Sequence, residues 1–273
     1  LFKTASPSEA LIPYYQPPTL HLGPFTLESF GVFAAVGIYL AVRVAAGRAA
    51  REKLDPTPII DYALWGVLAG VVAGHLVHLL LYHPEELRAD PIRLFKVWDG
   101  LSSFGGLLGG MLAALFFFRW KGVRLLAYGD ALALGIAPGW ALARLGCFSV
   151  HDHKGIRTDF FLAVNFPSGP RHDLGLYDAL LLLAIAVLLY ALARRRILAG
   201  RLLAVLALAY GLGRFFLDFL RARDLPYVDA RYLGLTPAQY ACFLLLAWAC
   251  WQLFASKRPA SSFPGSDARP YTA

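Results

Sequence analysis

Long apolar runs separated by short polar clusters dominate this chain. A helix that crosses a bilayer needs about 20 mainly apolar residues, and seven windows approach that length: 26–47, 58–82, 104–119, 126–147, 176–194, 200–219 and 237–256. The third is short, and its glycines Gly105, Gly106, Gly109 and Gly110 allow a neighbouring helix to approach its backbone closely. No Lys-Ser/Thr pair follows them, so packing is the better reading than a phosphate loop. The last window opens with Thr236-Pro237, a capping residue ahead of a proline in the first turn. The stretch 89–98 is too polar to cross but carries apolar residues at helical spacing, which predicts a helix lying along the interface. The pattern therefore predicts an all-α, integral membrane seven-helix bundle over residues 1–256. It has a short outer-face excursion at about 148–175, and a disordered cytoplasmic tail at 257–273.

Composition supports the same class. Hydrophobic residues make up 58% and charged residues 16% of the chain, against about 45–50% and about 25% in soluble domains. The net charge of +8 is not a nucleic-acid signature, because the basic residues gather at the ends of apolar runs as topology signals and lipid-headgroup contacts. The clusters Arg43/Arg48/Arg51/Lys53, Arg119/Lys121/Arg124 and Arg194/Arg195/Arg196/Arg201 follow windows one, three and five. The positive-inside rule then places the N-terminus outside and the C-terminus in the cytoplasm. Cys147, Cys242 and Cys250 are too dispersed for a disulfide framework or a metal motif. The first 24 residues lack the continuous apolar run of a cleavable signal peptide.

Two arginines, Arg144 and Arg214, lie inside apolar windows. A guanidinium at membrane depth costs at least about 2.5–3.5 kcal/mol and normally marks a binding site or a buried pair. Two of them point to an anionic ligand held in or at the edge of the bilayer. The competing structural reading is neutralisation by a local acid, for instance Asp218 one turn after Arg214.

An ordered set of short motifs carries a family resemblance. It runs through Leu22-Gly23-Pro24, Asp90-Pro91 with Val97-Trp98-Asp99-Gly100, Gly105-Gly106-Leu107-Leu108-Gly109 and Arg144-Leu145-Gly146-Cys147-Phe148. It continues through Leu176-Tyr177-Asp178, Tyr210-Gly211-x-x-Arg214-Phe215-x-x-Asp218-Phe219-x-Arg221 and Thr236-x-x-Gln239. Together, from about residue 12 to 256, they resemble bacterial prolipoprotein diacylglyceryl transferase. The resemblance implies a multi-pass enzyme of the bacterial inner membrane. Such an enzyme moves diacylglyceryl from phosphatidylglycerol to the lipobox cysteine of a preprolipoprotein and releases glycerol-1-phosphate. On this likeness Arg144 and Arg214 hold the lipid phosphate, Gly105 and Gly106 are the glycine pair beside the active site, and Asp152 stands at an acidic position. Tyr177 and Asp178 match a Tyr-Glu pair and Asp218 matches a glutamate, with Tyr177 and Asp218 assigned to phospholipid binding.

The chain departs from that pattern in its proton-handling groups. The family's His-Gly-Gly histidine is Phe104, a helix-one tyrosine is Phe30, the asparagine after Arg-Leu-Gly is Cys147, and an arginine in helix two is His75. The His-Pro-Ser-Gln run before Leu-Tyr becomes His172-Asp173-Leu174-Gly175. Histidine is the natural proton acceptor for a substrate thiol at neutral pH, so His151 or His153, placed by Asp152, is the expected replacement base. No cofactor is required by this reading. A second reading joins His75 and His78, three residues apart on one helix, to His151, His153 and a carboxylate as a divalent-metal site. Two alternatives to the family reaction follow. One is a divergent enzyme with the same anionic-lipid site but another acceptor or metal-assisted chemistry; the other is a non-catalytic phospholipid-binding or transport protein. Oligomeric state is open, since packing glycines serve contacts within one chain equally well.

Overall fold

The computed structural model describes residues 12–15, 19–22, 25–97, 100–225 and 231–255. Gly23, Pro24, Trp98, Asp99 and the tail expected to be disordered lie outside these residues, as does the side chain of Phe104. The chain is mostly helical: α1 (Ser29–Arg51), α2 (Thr57–Val77), α3 (Pro84–Ala89), α4 (Ser103–Trp120), α5 (Gly129–Val150), α6 (Leu174–Arg194), α7 (Leu202–Leu217) and α8 (Pro237–Cys250). Five helical stretches are long and apolar enough to cross a membrane: Ser29–Arg51, Thr57–Leu80, Leu125–Val150, Leu174–Arg194 and Leu202–Leu220. Windows three and seven fold as α4, whose apolar part Gly105–Trp120 is shorter, and as the 14-residue α8. Length and composition thus support five spans among the described residues and leave the other two of the expected seven unconfirmed.

The all-helical expectation also needs correction, because short strands are present. β1 (Ile12–Pro13), β5 (Val164–Phe166), β6 (Gly169–Asp173) and β4 (Lys154–Arg157) form one sheet in that spatial order, and β2 (Thr19–Leu22) pairs with β3 (Phe25–Glu28). The excursion expected at about 148–175 therefore contains a small sheet. β5 and β6 close in a tight hairpin with Phe166 opposite Gly169, and Gly169 takes φ +105°, a conformation that strains other residues. Segment 89–98 is not one interfacial helix. Asp90 ends α3 and caps a separate 3₁₀ turn, Pro91–Phe95, by accepting from the Ile92 N–H at 3.1 Å.

The chain divides into two compact units. Residues 42–132 belong to one, where α4 packs along α2 through small residues. A Cβ on Gly109 would sit 2.2 Å from Ala73 Cβ, and one on Gly105 would sit 2.6 Å from Val77 Cβ, so backbones meet where side chains would otherwise intervene. Ile59, Phe117, Phe118, Tyr128 and three alanines form its buried core. Residues 12–41 and 133–255 belong to the other unit. There Gly37 of α1 faces Gly139 of α5, each placing a Cβ 2.4 Å from the other's carbonyl oxygen. Caps set two helix starts in this unit. Asp173 accepts from Gly175 N at 3.0 Å and Leu176 N at 3.4 Å, fixing where α6 begins. Thr236 and Gln239 form a reciprocal capping box that starts α8 at the expected place.

Candidate active site

Arg144 on α5, Asp178 on α6 and Arg214 on α7 converge within the second unit. Arg214 donates from Nη1 to Asp178 Oδ2 at 2.7 Å and from Nη2 to Asp218 Oδ1 at 2.9 Å. Arg144 Nε lies 3.3 Å from the same Asp178 oxygen. Arg221 donates to Asp218 Oδ1 at 2.9 Å, and the Thr236 hydroxyl donates to Asp218 Oδ2. Asp178 and Asp218 are fully buried and Arg214 nearly so. Buried charges are tolerated only when paired and hydrogen-bonded, and the α8 cap supplies part of that pairing. The same Thr236 that starts the helix also holds Asp218.

The neutralisation reading of the arginines holds in this cluster. Arg214 is neutralised by Asp218 one turn on, yet the core holds three guanidiniums, Arg144, Arg214 and Arg221, against two buried carboxylates, Asp178 and Asp218. Asp152, held on His153 beside Arg144, adds a third, partly exposed carboxylate at the edge of the cluster. Two buried atoms there also have no hydrogen-bond partner: Arg144 Nε, a donor, and Asp178 Oδ1, an acceptor. A guanidinium fork with free N–H capacity is the group that binds phosphate oxygens most specifically.

Asp178 is the member that residue-by-residue reading left out of the site. It follows Tyr177, which was assigned to lipid binding, by one residue and so by about 100° around the helix. Tyr177 faces elsewhere, its hydroxyl 2.8 Å from His172 Nδ1 and donating to the Leu162 carbonyl. Asp178 was nevertheless detectable by the rule that found the arginines, since it is a lone acid in a long apolar run.

The predicted His151-Asp152-His153 group separates into two. His153 stays at the site: Arg144 Nη1 lies 3.1 Å from His153 Nε2, and Asp152 Oδ1 lies 2.8 Å from His153 Nδ1. Guanidinium can only donate, so Nε2 accepts and the imidazole proton sits on Nδ1, toward Asp152. His151 turns away with φ +51°. It is buried, with Nδ1 2.8 Å from Asp173 Oδ2 and Tyr14, Tyr15, Phe148 and Phe166 around its ring. Asp173, already the α6 cap, thereby ties the end of α5 to the start of α6. No local pattern links residues 22 positions apart, which is why Asp152 was the expected partner.

His75 and His78 lie in the other unit. His75 is buried with Nδ1 3.1 Å from the Gly100 carbonyl and Nε2 2.9 Å from that of Arg93, so its ring contacts both residues from α2. The His78 ring packs against that of His83, with centroids 4.5 Å apart and the planes tilted by 43°. Gly105, packed into α2, and Gly106, whose nearest Cβ neighbour is the Gly70 carbonyl, belong to this unit too. Among the described residues, the group of three metal-ligating side chains is instead Cys147, Asp152 and His153, whose ligand atoms all lie within 4.8 Å of one another.

Beside the cluster, Arg171 is buried and donates in bidentate fashion to Asp224, at 2.9 and 2.5 Å, and to the Gly155 carbonyl at 3.1 Å. Gly155 in turn bridges to Arg221, so the sheet braces the segment that holds Asp218. A Cβ at Gly155 would sit 2.6 Å from the Leu220 carbonyl, leaving no room for a larger residue. The Arg171 hydrogen bonds hold the Asp224 carboxyl down at about 2, while burial pushes His172 below the ordinary histidine range. The depressed Asp224 value stabilises the fold above the unfolded carboxyl's pKa of about 3.9, and this contribution is lost as pH falls toward 2. Asp224→Asn is expected to lower the melting temperature at neutral pH and to flatten its decline between pH 4 and 2. Melting curves across that range check this, and parallel wild-type and variant profiles would contradict it.

A buried guanidinium–carboxylate cluster carried on several helices long and apolar enough to cross a membrane is the pattern of a multi-pass membrane protein. The family model for prolipoprotein diacylglyceryl transferase matches residues 17–255, and the chain belongs to that family. Similar proteins include the phosphatidylglycerol–prolipoprotein diacylglyceryl transferase of Pseudoalteromonas atlantica, 32% identical, with 83% of this chain and 84% of the relative covered. Proteins of that name from Streptomyces coelicolor and Pseudomonas aeruginosa are each 31% identical, covering 92% and 91% of this chain and 76% and 97% of theirs.

Proposed function

We propose that this chain transfers diacylglyceryl from phosphatidylglycerol to the cysteine of a prolipoprotein. The observation that carries the reading is the convergence of Arg144 and Arg214 on Asp178 in a buried core, where Arg144 Nε has no hydrogen-bond partner. The two guanidiniums hold the lipid phosphate and stabilise the charge that develops on it as it leaves. The substrate thiolate attacks the glyceryl carbon that bears the phosphate oxygen. A C–S bond forms, the C–O bond breaks, and the electron pair departs with glycerol-1-phosphate. His153 Nε2, its tautomer set by Asp152, receives the thiol proton in the role that Phe104 cannot fill.

Seven membrane crossings, with α4 and α8 completing the set, place the site toward the outer leaflet of the inner membrane, with the C-terminus in the cytoplasm. The compact basic clusters at the C-terminal ends of α1, α4 and α6 support that orientation.

General base catalysis contributes about 10²–10⁴-fold. His153→Gln is expected to slow transfer by an amount in that range. The deficit shrinks as pH rises toward about 8.5, where a free thiol ionises unaided. Initial rates of label transfer to a lipobox peptide between pH 6 and 9 measure this. A variant as fast as wild type at every pH removes His153 from the mechanism.

A further inference from the structure

The side chains around His153 do more than place a base. Arg144 Nη1 sits 3.1 Å from His153 Nε2 and 3.8 Å from Cys147 Sγ. A guanidinium has no lone pair, so both contacts are made by lone pairs of the imidazole and the sulfur, directed at one point. Asp152 brings a carboxylate to the same place, and all three ligand atoms lie within 4.8 Å of one another. We propose that Cys147, Asp152 and His153 form a binding site for a soft divalent cation such as Zn²⁺, which competes with Arg144 for these lone pairs.

The donor set fits the cation. Thiolate, imidazole and carboxylate are the three ligand types zinc takes, and three protein ligands with one open position is the usual arrangement of an accessible zinc site. Tetrahedral bonds of about 2.0–2.3 Å place ligand atoms about 3.3–3.8 Å apart. Closing from the present spacing therefore takes roughly an ångström of side-chain movement, which rotamer changes provide once Arg144 withdraws. The Asp152 contact keeps the imidazole proton on Nδ1 and Nε2 as the ligand atom in the empty site, and Asp152 gives up that contact when its carboxylate turns to the cation. As the S–metal bond forms, the Cys147 thiol releases its proton to solvent, and no change of oxidation state is involved.

The consequence is regulatory. The cation occupies the lone pair of His153 that serves as base and moves Arg144 off its anchor, so loading lowers transfer. This consequence rests on the proposed transferase reading, but the site itself does not. The metal set expected from the histidine pattern shares His153 with this site, and Asp152 where it supplies the carboxylate; the sulfur ligand comes from the position where the family carries asparagine.

Co²⁺ is the direct probe, because a thiolate ligand gives it a sulfur-to-cobalt charge-transfer band. Purified protein, stripped with chelator and titrated with Co²⁺, is expected to show that band saturating at one ion per chain. Zn²⁺ then displaces it. Cys147→Asn, checked for folding by its melting temperature, is expected to lose the band, and His153→Gln to weaken binding at least tenfold. Saturating Zn²⁺ is expected to inhibit wild-type transfer reversibly, with chelator restoring it. Absence of the band in wild type, its persistence in Cys147→Asn, or full transfer at saturating Zn²⁺ overturns the proposal. If the protein has no transferase activity at all, the cobalt spectrum still decides the site.

Discussion

Arg214→Ala is expected to reduce diacylglyceryl transfer by about 10²–10³-fold, the loss that follows removal of a single preorganised donor to developing charge. The alanine variant removes the two-pronged contact with Asp178 and Asp218, leaving two buried carboxylates with Arg144 and Arg221 as their remaining cations. Lysine does not restore function, because a single ammonium cannot bridge two carboxylates and a phosphate with the geometry of a planar fork. The measurement is transfer at saturating phosphatidylglycerol, with binding of the lipid followed separately. A fall in turnover that exceeds the fall in affinity is the signature of charge stabilised on the leaving phosphate.

The second large effect is on stability. Asp178→Ala is expected to destabilise the protein by about 3–5 kcal/mol, since removing one partner of a buried pair strands the other, and here two guanidiniums share the carboxylate. The double variant Asp178→Ala/Arg214→Ala is expected to be less destabilised than the two single effects combined, because it removes a stranded charge along with its partner. Melting temperatures of the four proteins in detergent form the cycle. An Asp178→Ala protein that melts with wild type would show that the arginines are satisfied without it.

Much of this site was legible before folding because charge inside an apolar run is costly wherever it occurs. That argument located Arg144, Arg214 and Asp218, and applied evenly it also reaches Asp178. The helices were legible for the same reason that they can cross membranes: long apolar windows admit few alternatives. What was not legible depends on contacts between distant positions. The strands span two to five residues, too short for alternation to show, and β4, Lys154–Arg157, reads as a polar loop until it pairs with β6. His151 was drawn toward Asp152 by adjacency, whereas a positive φ turns it toward Asp173, and the neighbouring His153 takes Asp152. His75 looked like a ligand because histidine is rare in apolar helices; its ring instead sits between the Gly100 and Arg93 carbonyls, one ring nitrogen near each.

The most direct test of the account is a transfer assay with purified protein, labelled phosphatidylglycerol and a lipobox peptide, run beside Arg144→Ala. Label on the peptide cysteine, lost with the arginine and accompanied by glycerol-1-phosphate, is the predicted result. Phosphatidylglycerol bound by the wild type without transfer, or transfer undiminished in Arg144→Ala, would contradict it.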